Sequence, residues 1–370
     1  MSKKEIGLYI HIPFCAHKCD YCDFVSFANS RDKVEQYINK LIEEIKEEKL
    51  EQYKITTIYI GGGTPSYIDS KYIVQILENI NIKDAEEITI EVNPGTVTRQ
   101  KLEDYYNAGI NRLSIGLQSS ENNMLKQISR IHTYEDFLDT YNLAKQVGFT
   151  NINVDLMIGL PNQGLKDVDK TLKEIIKLEP NHISVYSLII EEGTVLENKV
   201  SKGLLQLPEE KTERKMYWQV KKTLEKAGYG HYEISNFAKQ GFESKHNSNC
   251  WEQVEYIGVG LAAHSYINKT RYSNTVSLKK YLENIKENRI VHETQNKEDE
   301  QKEYMLLNLR KIEGVNIQKF KNKFVENPIY LYRVQLDKLV KNKLVEIDIN
   351  YIKLTKRGID LANLVWQEFV

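Results

Sequence analysis

The chain has 370 residues, 41% of them hydrophobic, enough apolar material for one large domain with a smaller one beside it. Its 51 Lys and Arg residues against 52 Asp and Glu leave a net charge of -1, so no global field draws it to nucleic acid or to an anionic membrane. No stretch approaches the ~20 apolar residues that cross a bilayer, and "MSKKEIGLYIHIPF" turns polar too soon for a secretory signal, so the expected compartment is cytoplasmic, where cysteines stay reduced.

From residue 6 to about 227, short β-rich runs alternate with helical patterns. The runs are "GLYIHI", "ITTIYIGG", "EITIEVNP", "NRLSIGLQ", "NINVDLMIGLP" and "HISVYSLI". The clearest helix is "DKVEQYINKLIEEIKEEKL", where Val34, Tyr37, Ile38, Leu41, Ile42 and Ile45 share one face at three- and four-residue spacing. Gly109, Gly148 and Gly228 each follow a last helical turn and precede a strand, the usual helix stop. Six strands alternating with helices predict an α/β fold with a parallel sheet and helices outside it. Polar signals fall where strands end, which favours a partial (β/α)6 TIM-like barrel over residues 1–228, with a flat doubly wound sheet as the alternative. Residues 229–295 form a Gly- and aromatic-rich extension without a long helix. Residues 296–370 read as a small α/β C-terminal domain that ends in a hairpin and a helix, winged-helix-like in pattern.

Three of the four cysteines lie in "HIPFCAHKCDYCDF", at a C-x3-C-x2-C spacing just past the first strand. Reduced thiolates so spaced suit zinc or an iron–sulfur cluster. Structural zinc prefers four closed ligands, and the fourth here would be His11, His17 or something remote. A [4Fe–4S] cube held by three cysteines instead leaves one iron open. After the second strand, "GGGTPS" permits close backbone approach to a polar ligand but lacks the dinucleotide spacing. Glu91 and Gln118 end the third and fourth strands, Asp155 lies on the fifth, and Arg130 stands in the connection "KQISRIH". Together they set complementary charges at matching levels of successive strands, the makings of a pocket.

The cysteine motif after a strand is similar to the hallmark of radical S-adenosylmethionine (SAM) proteins. "YIHIPFCAHKCDYCDF" resembles the branch holding the oxygen-independent coproporphyrinogen dehydrogenases and their haem-chaperone relatives, and the resemblance runs over nearly the whole chain. It implies that Cys15, Cys19 and Cys22 hold a [4Fe–4S] cluster whose open iron takes the amino acid end of SAM. It also implies that Gly62, Gly63 and Thr64 line the SAM amino acid pocket, that Glu91 holds the ammonium and Arg130 the carboxylate, and that Gln118 and Asp155 bond the ribose. Tyr9 matches another family position beside SAM, and Phe14 or Phe24 would shield the cluster.

Within the branch, the dehydrogenases typically carry a further cysteine two positions after the third, where this chain has Phe24, and usually a longer N-terminal segment. The chaperones carry H-N-x-x-Y-W. Here "HNSNCW" keeps His246, Asn247 and Trp251, with Cys250 in place of the Tyr. The resemblance therefore implies haem as cargo with His246 as its ligand, while Cys250, which departs from the family motif, is either a thiolate ligand or, the preferred reading, an inert buried thiol. Haem would pass to haem-requiring acceptor proteins, respiratory ones among them. The alternatives are oxidative decarboxylation of coproporphyrinogen, or radical SAM chemistry on another substrate. Neither a nucleic-acid partner nor a transmembrane segment is expected.

Overall fold

In six strands aliphatic and polar residues alternate, and the pleat sends the two sets to opposite faces. They are β1 (Lys4–Ile12), β2 (Tyr53–Gly62), β3 (Glu87–Val92), β4 (Arg112–Gln118), β5 (Asn151–Ile158) and β6 (His182–Ser187). One face is aliphatic: Leu8, Ile10, Ile58, Ile60, Ile90, Ile115, Val154 and Ile183 all enter one buried apolar cluster. The other face carries Tyr59, Glu91, Ser114, Asn153, Asp155 and His182, joined by side-chain hydrogen bonds that run from strand to strand. The computed structural model describes residues 3–370.

These strands pair in sequence order, every pair parallel. Because the order never reverses, right-handed crossovers carry the helices to one face and the sheet curls about the other. A doubly wound sheet would reverse its order, so that alternative falls. The outer ring is α1 (Val34–Glu47), α2 (Ser70–Glu78), α3 (Arg99–Asn107), α4 (Tyr134–Val147), α5 (Leu165–Leu178) and α6 (Glu210–Lys226). All six apolar residues expected on the inner face of α1 are buried, and Glu44 is buried with them. Gly148, just past α4, takes the left-handed conformation at φ +116, a geometry that costs any other residue.

The extension at 229–295 lengthens both edges of this sheet. On one edge β7 (Gly230–Glu233) and β8 (Asn236–Ala238) follow β6, with β8 antiparallel to it. "HNSNCW" then forms most of a seven-residue helix, α7 (Lys245–Trp251). On the opposite edge β9 (Tyr256–Val259) runs parallel to β1, a seventh parallel strand beyond the six expected. An antiparallel meander of β10 (His264–Ile267), β11 (Thr270–Ser273) and β12 (Ile290–Thr294) completes twelve strands. The outermost strands do not pair with each other, so the barrel stays open, as a partial barrel should.

The remaining chain builds its own core, in which Phe320, Tyr332, Leu336, Ile352 and Val365 are buried. It contains α8 (Lys297–Asn308) and a three-stranded antiparallel sheet. The expected hairpin is Val345–Ile347 with Tyr351–Leu354, and the helix after it is split into Lys356–Asp360 and Ala362–Trp366. Among the described residues no helix is long and apolar enough to cross a membrane.

Candidate cluster and SAM site

The site starts from the glycine run that ends β2. Gly62 sits at φ +114, and a Cβ there would come within 2.6 Å of the His11 ring. At Gly63 a Cβ would lie 3.0 Å from both Cys15 Sγ and the Phe14 backbone nitrogen. Only bare backbone fits this shelf. Its amides tie it to the cysteine loop: Gly63 N–H donates to the Ile12 carbonyl and Thr64 N–H to that of Phe14, each at 2.9 Å.

The loop is fixed at both ends. Phe14–Cys15 pairs with Phe27–Ala28 at its base. Towards its tip Asp20 N–H donates to the Ile128 carbonyl, and the Asp20 carboxylate meets Lys199 Nζ at 2.5 Å. Cys15 is buried, Cys19 and Cys22 half-buried, and none is in a disulfide. Thr64 Oγ1 donates to Cys15 Sγ at 3.4 Å, and Arg130 Nη1 lies 3.6 Å from Cys19 Sγ. Burial pushes the Cys15 and Cys22 thiols up. His11 is no free fourth ligand, since one ring nitrogen faces Tyr9 Oη and the other the Val25 carbonyl, each at 3.0 Å. Among the described residues no three or more His, Cys, Asp or Glu side chains are gathered as around a single ion. Three soft thiols on a pinned loop are the donor set that an iron–sulfur cluster takes.

Beside the loop lies a small cavity of about 20 Å³ lined by His17, Cys19, Thr64, Asn93, Arg130 and His132, among others. Arg130 Nη2 donates to Asn93 Oδ1 at 2.9 Å and to the Gly116 carbonyl at 2.5 Å. Its Nε is buried without a partner, an orphan donor that a ligand carboxylate would satisfy. Glu91 accepts from Tyr59 Oη at 2.9 Å and from Gly62 N–H at 3.1 Å. Burial, then the nearby Asp155 charge, raises its carboxyl to about 7. Burial also raises Asp155, which accepts from Asn153 Nδ2 at 2.8 Å and Ser114 Oγ at 3.1 Å. Gln118 ends β4 in a left-handed conformation at φ 74, nearly buried. Tyr9 stacks on Tyr59 with ring centres 6.3 Å apart. An anion and a cation thus flank a glycine shelf, the charge pattern that receives a zwitterion.

Two residues that sequence reasoning passed over complete the arrangement. Asn93 bridges Arg130 to Thr64, its Nδ2 donating to Thr64 Oγ1 at 2.9 Å. Tyr59 orients Glu91. Asn93 stands two residues past Glu91 at the same strand end, so the period of two could have found it; no pattern singles out Tyr59.

Other expectations land elsewhere. Phe14 is core, packed edge-on to Tyr37 with ring centres 5.3 Å apart, and Phe24 is 62% exposed. His246 is buried at the floor of the barrel rather than presented on a loop. The Glu87 carboxylate at the start of β3 takes the N–H groups of Lys245 at 2.9 Å and His246 at 3.0 Å, anchoring the N-terminus of α7. Inside, His246 Nδ1 meets Thr57 Oγ1 at 2.9 Å, and burial pushes the imidazole down to about 4. Burial raises the Cys250 thiol to about 11.

Residues 9–175 match the family model of the radical SAM superfamily, and residues 295–361 that of the HemN C-terminal domain. The chain is 38% identical over 375 residues to a heme chaperone HemW from Lactococcus lactis, covering 100% of this chain and 98% of that protein. It is also 38% identical over 373 residues to one from Bacillus subtilis, covering 98% of each. Its fold is similar to that of the Escherichia coli coproporphyrinogen III oxidase HemN, with a TM-score of 0.85 over 99% of this chain and 90% of that one, at 23% identity. Relatives at this identity run from one end of the chain to the other, and it belongs to the heme chaperone HemW family of radical SAM proteins.

Proposed function

We propose that the protein is a cytoplasmic haem chaperone that binds haem and hands it to haem-requiring acceptor proteins, carrying a SAM-binding [4Fe–4S] cluster. The observation that carries this reading is the end-to-end similarity to proteins named heme chaperones. Phe24 supports it, because the dehydrogenase pattern wants a sulfur at that position and this chain offers an exposed ring.

Cys15, Cys19 and Cys22 would hold the cluster, which supplies an open iron for SAM and a route for an electron into it. Arg130, with its orphan Nε, would receive the SAM carboxylate, and Glu91 the ammonium. Gly62, Gly63 and Thr64 would form the shelf, while Gln118, Asp155 and Tyr9 would contact the ribose and its surroundings. His246 can reach a haem iron only if α7 lifts from the barrel floor.

The test is anaerobic reconstitution followed by turnover. The protein should take up about four irons per chain and lose that capacity when Cys15, Cys19 or Cys22 becomes Ala. Supplied with SAM, a strong reductant and coproporphyrinogen, it should release no carbon dioxide. Robust decarboxylation would replace the chaperone reading with the dehydrogenase.

A further inference from the structure

The "HNSNCW" histidine touches the machinery assigned to SAM. The lumen narrows where His246 enters: a Cβ on Gly7 of β1 would stand 3.4 Å from His246 Cε1 and 3.3 Å from Thr57 Oγ1. Held by Thr57, the imidazole lies against the ring of Tyr59, with centres 5.3 Å apart and planes inclined by 31°. Tyr9 stacks on Tyr59 as well. Tyr59 thus has little freedom, and its hydroxyl is one of the two groups that orient the Glu91 carboxylate. The contact series is short and continuous: His246 to Tyr59 to Glu91.

We propose that His246 is a positioning residue for the SAM site, setting Tyr59 and through it the Glu91 carboxylate that receives the SAM ammonium. This rests on the SAM reading given above and adds a role to a motif otherwise associated with cargo. The contact series has a consequence for α7. Whatever lifts that helix removes the support under Tyr59, so departure of His246 from the lumen weakens SAM, and bound SAM holds α7 down by the same factor.

The alternative, that His246 is only a buried filler of the barrel floor, predicts a loss of stability without a specific loss of SAM affinity. The experiment uses the anaerobically reconstituted full chain, with cluster content fixed by iron and sulfide analysis, and SAM affinity measured by calorimetry. His246→Ala should weaken SAM about fivefold or more, the span typical of couplings through packed contacts. His246→Phe keeps a flat ring beneath Tyr59 without an imidazole nitrogen, and should recover most of that loss. In a Tyr59→Phe background, which lacks the hydroxyl that reaches Glu91, His246→Ala should cost much less than it does in the parent. SAM affinity within twofold of the parent in His246→Ala, or losses that add fully in the double variant, would overturn the proposal. Absence of SAM binding by the parent chain would instead overturn the SAM reading, and the positioning role with it.

Discussion

Glu91 is half-buried at the end of β3, its carboxyl held by two hydrogen-bond donors with no salt-bridge partner among the described residues, so its proton competes with any incoming cation. Its carboxyl sits at about 7 rather than 4.5 because burial disfavours the anion and Asp155 adds repulsion. Only the ionised form attracts an ammonium group, so SAM affinity should rise with pH through about 7 and level off above it. Below that point it should weaken by up to about tenfold per unit, and Glu91→Gln should flatten the profile. A raised acid also costs folding stability once ionised: the cost is absent below the unfolded value of 4.5 and complete above about 7. Metal-free Glu91→Gln should therefore melt higher than the parent at pH 8, with the gap narrowing as pH falls towards 4.5. Arg130→Ala should weaken SAM by about 1.5–3 kcal/mol with the cluster intact, the range for hydrogen bonds to charged groups. Unchanged affinity measured by calorimetry would remove the role given to Arg130. Glu91, at a strand end, and Arg130, in a connection, drew notice in the sequence as charges, while the roles proposed for them came from the family resemblance. Tyr59 was not legible, because a Tyr in a strand is ordinary there, and Asn93 carried only its offset of two from Glu91 as a signal.

The glycine shelf and the cysteine loop act as one element, joined by hydrogen bonds from the Gly63 and Thr64 N–H groups to the Ile12 and Phe14 carbonyls. A methyl group at Gly63 would meet Cys15 Sγ and backbone at 3.0 Å, and backbone cannot turn aside as a flexible side chain can. Gly63→Ala should destabilise the fold by about 1–3 kcal/mol, as overpacking does, and lower iron uptake; melting curves and iron analysis would show both. Local pattern was enough to read α1 and the six central strands, since periods of 3.6 and 2 are written in neighbouring residues. It was not enough for β9, whose parallel pairing with β1 joins residues 7–10 to residues 256–259. Nor did it place His246, because a Gly- and aromatic-rich stretch carries no periodicity that says whether a side chain faces solvent or a lumen.

At the scale of the molecule, the extension is locked to the barrel by a buried charge. Glu44 of α1 accepts from Gly260 N–H at 2.8 Å, Asn274 Nδ2 at 2.6 Å, Tyr281 Oη at 2.7 Å and Arg289 Nη2 at 3.1 Å. Arg289 also pairs with Glu48. The burial of Glu44 follows from partners more than 200 residues away, which no local pattern on α1 reveals. Arg289→Ala should cost about 1.5–3 kcal/mol, less than an isolated buried carboxylate would, because three donors remain. Denaturant unfolding would read it directly, and a change below about 0.5 kcal/mol, the scatter of surface substitutions, would deny the lock. The central claim is that a radical SAM chain built this way handles haem as cargo. Its most direct test is an anaerobic absorbance titration of the reconstituted protein with haem. A chaperone that holds its cargo at a defined site should give a Soret band that saturates at a fixed stoichiometry. A linear rise with no saturation, like that of haem added to buffer, would contradict it.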